Sequence, residues 1–164
     1  MISTEARRDA PAEIARVLAP VDLSADSPAS VLQALELGRR LGAVVVVMTA
    51  VADADVAAGR SHGDYLDQVI ETRRMRLVAW FATRVPEEAR RGARVTFVAV
   101  PGAPARAIVE AARAEKADLI VMATHERAGL RRWTHRSIAR AVARAAPIPV
   151  LTVRPDHVRF RAAV

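Results

Sequence analysis

The chain has 164 residues, with 25 Lys and Arg against 18 Asp and Glu, and it contains no Cys. That length suits a single domain with a substantial core. An apolar content of 52% argues against intrinsic disorder, although 35 of those residues are Ala and only six are aromatic. Without Cys there is no disulfide scaffold, thiolate-ligated zinc site or thiol catalysis. The longest uncharged apolar stretch, Leu41 to Ala52, has 12 residues and is too short to span a membrane. The opening MISTEARRDAPAEI lacks the apolar core of a secretory signal, so the expectation is a soluble, cytoplasmic protein.

Charge is unevenly placed. Residues 1–122 balance to zero, whereas 123–164 hold nine Arg against only Glu126 and Asp156, so the whole excess of +7 lies in the last quarter. A one-sided positive field attracts anions, from phosphates to nucleic acid. A solvated helix face in an Arg-rich protein explains it equally well. No aromatic-studded basic strand or zinc finger accompanies the charge, so anion or nucleic-acid binding through this basic quarter stands as an alternative to the leading reading.

Residues 1–14 show no sustained period and read as a flexible arm. Ala15–Val21 reads as a short buried strand whose pairing stops near Pro20. Ser27-Pro28 offers an N-cap with Pro at the first helical position, and Gly42 ends the helix that carries Val31, Leu32, Leu35 and Leu41. Ala43–Val51 is a continuous β-branched run without polar alternation, the pattern of a central parallel strand covered on both faces. A loop over 53–63 precedes a helix from about Asp64 to Arg84, with Leu66, Val69, Ile70, Leu77, Val78 and Phe81 at helical spacing and Arg73, Arg74 and Arg76 on its wet face. Trp80 and Phe81 read as core.

After Gly92 comes a third strand, Ala93–Val100. A helix opened by Gly102 and Pro104 then runs to Lys116, with Ile108 and Val109 on its buried side. Asp118–Thr124 is a fourth strand, a basic loop (HERAGLRRWTHR) follows, and a helix is expected from Ser137 to Ala146 before the last strand, Val150–Val153. Alternating strands and helices with short connections imply βαβ units and a parallel sheet. The fold class is therefore α/β, a three-layer sandwich over residues 15–154, with a tail at 155–164.

The ordered set Pro20-Val21-Asp22, Gly102-x-Pro104, Asp118-Leu119-Ile120-Val121-Met122, Thr124-His125, Ser137 and Pro149-Val150-Leu151 resembles the universal stress protein family over about residues 15–154. That resemblance implies a flavodoxin-like, doubly wound sheet of five strands in the order 3-2-1-4-5. It also implies a non-enzymatic stress-response or signalling role, a homodimer formed through the last strand, and an ATP or AMP site. In such sheets ligands bind where the winding reverses, outside the carboxyl ends of strands 1 and 4. Carried onto this chain, the cofactor-contacting positions are Pro20, Val21, Asp22, Val51, Met122, Ala123, Arg127, Arg136, Ser137 and Ile138.

Nucleotide-binding members carry G-x-x-G-x9-G-[ST], whose glycines admit phosphates close to the backbone beside a helix N-terminus. Here the three glycine positions hold Ala123, Glu126 and Arg136, and only Ser137 survives; Gly129 does not restore the spacing. A carboxylate at 126 would oppose phosphate oxygens, at about 4 kcal/mol for unit charges ~4 Å apart at an effective dielectric of ~20. Nucleotide binding is therefore expected to be weak or lost and no cofactor is expected, with Glu126 and Arg136 pairing to plug the site. The alternatives are that both side chains extend into solvent, or that Arg127 or Arg136 replaces the glycine-loop amides as a phosphate contact.

Asp22 either accepts hydrogen bonds from a nucleotide or caps the turn after it. Ser137 lacks a G-x-S-x-G elbow and reads as a helix cap or anion contact rather than a nucleophile. The four His (62, 125, 135, 157) form no metal-ligand spacing. Trp133, set among arginines, reads as a hydrophobic plug or a stacking residue. Arg136, Arg140 and Arg144 make one like-charged stripe that an anionic ligand or partner would relieve.

Overall fold

The computed structural model describes residues 13–24, 27–51, 63–124 and 132–154, with the backbone alone at 63–64 and 132–137. In chain order the elements are β1 (Arg16–Pro20), α1 (Pro28–Leu41), β2 (Val44–Val51), α2 (Gly63–Arg84), α3 (Glu87–Arg90), β3 (Arg94–Pro101), α4 (Pro104–Ala114), β4 (Leu119–Ala123), α5 (Arg132–Ala145) and β5 (Val150–Val153). The strands form one parallel sheet in the order β3-β2-β1-β4-β5. That is the doubly wound order the resemblance implied. The arm over 1–14, apart from Glu13 and Ile14, and the tail over 155–164 lie outside the described residues.

The apolar run of β2 serves both faces of the sheet. Val45 and Val47 enter a core with Val31 and Leu35 of α1 and Leu77 and Phe81 of α2. Val46 and Met48 enter a second core with Ile108 and Ala112 of α4 and Val142 of α5. Because both faces are covered, no polar residue is required at every second position, and the strand reads as continuous valine. Two aromatic rings close the first core at its β3 end, where Phe81 and Phe97 meet edge-to-face with centroids 5.1 Å apart.

The start of β1 is fastened by Asp118. Its Oδ2 accepts the backbone N–H of both Ala15 and Arg16 at 2.9 Å, while its own N–H donates to the Arg16 carbonyl at 2.9 Å. Helix α1 ends at Gly42 in the left-handed region, φ 67°, where a Cβ would be strained.

Several expectations need correction. Leu41 is 45% exposed, and the buried stripe of α1 runs instead through Val31, Ala34, Leu35 and Gly38. Helix α4 stops at Ala114, because Lys116 takes φ 51°. The short α3 was not expected; it packs Ala89 into the first core. Helix α5 begins at Arg132, five residues before Ser137. The sequence offers no cap at 131–132, whereas Ser137 has the residue type of a helix cap.

Among the described residues, no helix is long and apolar enough to cross a membrane.

Candidate functional site

Beta strands β2, β1 and β4 are neighbours, so their carboxyl ends bring Val51, the segment Pro20-Val21-Asp22 and the segment Met122-Ala123 to one end of the sheet. The winding reverses between β1 and β4, the point at which sheets of this kind bind their ligands. Val21 and Met122 are buried, and Val21 N–H donates to the Met48 carbonyl at 2.8 Å. On the far lip, Thr124 N–H donates to the Val153 carbonyl at 2.8 Å.

The β1–α1 loop is a knot of hydroxyls around Asp22. Asp22 Oδ1 accepts the Ser24 N–H at 2.9 Å and the Ser27 hydroxyl. Ser24 and Ser27 hydroxyls lie 3.2 Å apart, and the Ser30 hydroxyl donates to the Ser27 carbonyl at 3.1 Å. Trp80 reaches across from α2 to donate its indole N–H to the Ser24 carbonyl at 3.4 Å. Leu23 is held at φ 65°, unusual for a non-glycine residue, while its side chain packs on the first core.

Ser27 precedes Pro28 as expected but makes no side-chain cap. Its backbone is already helical (φ −62°, ψ −25°), so its hydroxyl turns back to Asp22. Asp22 Oδ1 thus engages the turn that follows it, as its capping role requires.

On the other lip, Ile138 is half-buried against the second core. Ser137 lies in the second turn of α5, not at its head, which corrects the capping expectation. Its backbone N–H falls inside the helical ladder, and the N–H groups without intrahelical partners belong to the turn beginning at Arg132. Arg127, His125, Glu126 and Gly129 fall outside the described residues, and only the backbone of Trp133 and Arg136 is described. The proposed Glu126–Arg136 plug therefore also lies outside them.

A second concavity, about 290 Å³, opens beside the carboxyl end of β2, lined by Val51, Tyr65, Gln68, Thr72, Arg73 and Arg76. The expectation that Arg73 sits on the wet face is overturned. Val69, Arg73 and Leu77 follow one another at four-residue spacing on the inner stripe of α2, Arg73 is half-buried, and its Nε is out of contact with water. Sequence periodicity alone marked the neighbouring Val69 and Leu77 as buried, and that was the signal available for the arginine between them. No group of three or more His, Asp or Glu able to hold a metal occurs among the described residues.

The Universal stress protein family model matches residues 13–154. The chain belongs to the universal stress protein family. Among solved structures it is similar to a universal stress protein in complex with cAMP, at 25% identity and TM-score 0.56, over 86% of this chain and 97% of that one. It also shares its fold with universal stress protein UspA from Lactobacillus plantarum, at 20% identity and TM-score 0.57, over 88% and 100% of the two chains. A universal stress family protein from Burkholderia pseudomallei aligns at 24% identity and TM-score 0.54, over 88% and 98%. Comparison with curated proteins returned no match. As a universal stress protein the chain has the family's five-stranded parallel sheet in the order 3-2-1-4-5.

Proposed function

We propose that this universal stress protein is a non-enzymatic, cytoplasmic stress-response or signalling protein in which nucleotide binding at the β1/β4 crevice is weak or lost. The position of α5 carries this reading. The first turn of the helix, whose N–H groups have no intrahelical partner, starts at Arg132, so the Ser137 N–H lies beyond that turn, within the helical ladder, and the residue does not stand at the helix head where phosphate would be held. Ala123 in place of glycine and the local engagement of Asp22 point the same way. The cAMP complex of the similar structure makes a residual affinity for AMP-like ligands reasonable.

Calorimetric titration of nucleotide-stripped protein with ATP and AMP tests this, alongside a Glu126→Gly/Arg136→Gly variant. The expectation is no measurable heat from the natural protein. Binding gained by the variant would show that side chains at these positions obstruct the site. Micromolar binding by the natural protein would overturn the proposal and favour Arg127 or Arg136 as substitute phosphate contacts.

A homodimer through β5 belongs to the same reading. That strand is an edge of the sheet, and Leu151 on it is 39% exposed, an invitation to pairing. Light scattering should give twice the chain mass, falling to one chain mass in Leu151→Arg.

A further inference from the structure

We propose that the concavity between the carboxyl end of β2 and α2 is an anion site for a small phosphate-bearing ligand, with Arg73 as its principal donor. This site adjoins the β1/β4 crevice at Val51, but its donors lie on α2 and it does not depend on nucleotide binding in the crevice.

Arg73 occupies a position where the helix calls for an apolar side chain, between Val69 and the fully buried Leu77. A guanidinium on an inner stripe needs partners for its donors. Yet Arg73 Nε is buried without a hydrogen bond to any described residue. The carboxylate nearest in sequence is already taken, because Glu71 holds Arg74 through two contacts of 2.7 and 2.6 Å. Arg73 and Arg76 thus face one pocket with no ion pair among the described residues.

A second orphan lies close by. Thr49, 1% exposed, has a hydroxyl without a partner among the described residues. Strand alternation puts Thr49 on the same face of β2 as Val47 and Val51, the face that α2 covers. Thr49 lies behind the concavity, two residues from the lining Val51 on the same strand, so the orphan that reaches the lining itself is Arg73.

The lining matches the charge. Two guanidinium groups, the Thr72 hydroxyl and the Gln68 amide supply the donors a phosphate takes, and Arg is the side chain best shaped for it. Tyr65, 47% exposed at the rim, offers a ring face for the remainder of the ligand. A volume of about 290 Å³ lies at the lower end for ligand pockets, which suits a phosphate monoester better than a dinucleotide.

The test is nuclear magnetic resonance on the full chain, following the Arg73 Nε–H and the backbone N–H of Val69 and Thr72 during titration with inorganic phosphate and, separately, ribose 5-phosphate. Both probes should produce saturable shifts at these groups. Tighter binding of the ester would assign the rest of the pocket to its organic part, while equal binding would assign the site to free phosphate. Arg73→Met, which keeps the side-chain volume, should weaken binding about 10- to 100-fold, the usual loss of a hydrogen bond to a charged group. Arg76→Ala should weaken it less. A Leu77 resonance unchanged in Arg73→Met would confirm that the fold is kept.

Absence of saturable shifts at Arg73 would overturn the proposal. So would a shift of the Arg73 Nε–H in Asp53→Asn or Asp55→Asn without added phosphate, since the chain's own carboxylate would then be the partner. AMP shifts confined to Asp22 and Thr124, with Arg73 silent to every phosphate, would overturn this site while supporting nucleotide binding in the crevice. Shifts at Arg73 with a silent crevice would support both readings advanced here.

Discussion

Substituting Gly38 by Ala tests how closely α1 sits on the sheet. A Cβ at Gly38 would lie 2.6 Å from Val45 Cγ2 and 3.3 Å from the Ala43 carbonyl oxygen. The first distance is far inside van der Waals contact, and Val45 is 1% exposed in a packed core, with a χ1 that branching makes stiff. Overpacking of this kind costs about 1–3 kcal/mol. Against it stands the gain of about 1 kcal/mol from replacing Gly by Ala inside a helix. The net expectation is a loss of up to about 2 kcal/mol. For a chain of this length that is a fall in Tm of up to roughly 8 °C.

Urea denaturation of Gly38→Ala, Val45→Ala and the double variant checks this. Removing Cγ2 should relieve the clash, so Gly38→Ala should become neutral or stabilising in the Val45→Ala background, with a coupling near the clash itself. A stabilising Gly38→Ala in the natural chain, or an equal effect in both backgrounds, would refute the close approach of α1 to β2.

Three other outcomes follow from single contacts. Asp118→Ala should destabilise by about 1–3 kcal/mol by leaving the Ala15 and Arg16 N–H groups without their acceptor, and Asp118→Asn by less, as read by urea midpoints. Phe97→Leu should cost roughly 0.5–1.5 kcal/mol beyond its lost area by removing the edge-to-face contact with Phe81, measured against Phe97→Leu in a Phe81→Leu background. The Glu36 carboxyl should titrate below its ordinary value because Arg40, and then Arg39, donate hydrogen bonds to its charged form. Its contribution to stability is present above the unfolded-state value and disappears as pH falls through the lower folded one. Carboxyl NMR should show the lowered midpoint return toward normal in Arg40→Ala.

Regular structure was largely legible in the sequence because it depends on near neighbours. The valine run at 44–51 cannot be a half-exposed strand, Gly42 and Gly92 stand just before β2 and β3, and Pro28 and Pro104 open the helices that follow β1 and β3. The ordered motifs then identified the family, and with it the strand order 3-2-1-4-5 that the sheet shows.

What remained for the tertiary structure was the choice of partner and the choice of face. Ser27 has the residue type and position of a cap, yet its hydroxyl goes to Asp22, because only the folded loop brings that carboxylate within reach. Arg73, Arg74 and Arg76 look alike in a charged run. The helix turns Arg73 and Arg76 toward the concavity beside β2 and buries the Nε of Arg73 alone, while Arg74 pairs with Glu71; that rotation is fixed by Leu77 and Phe81 seeking the core. Ser137 has the residue type of a helix cap, yet the helix around it starts about a turn and a half earlier, so the residue lies inside the helix and not at its end. Periodicity fixes which residues share a face; only packing against a second element decides what that face meets.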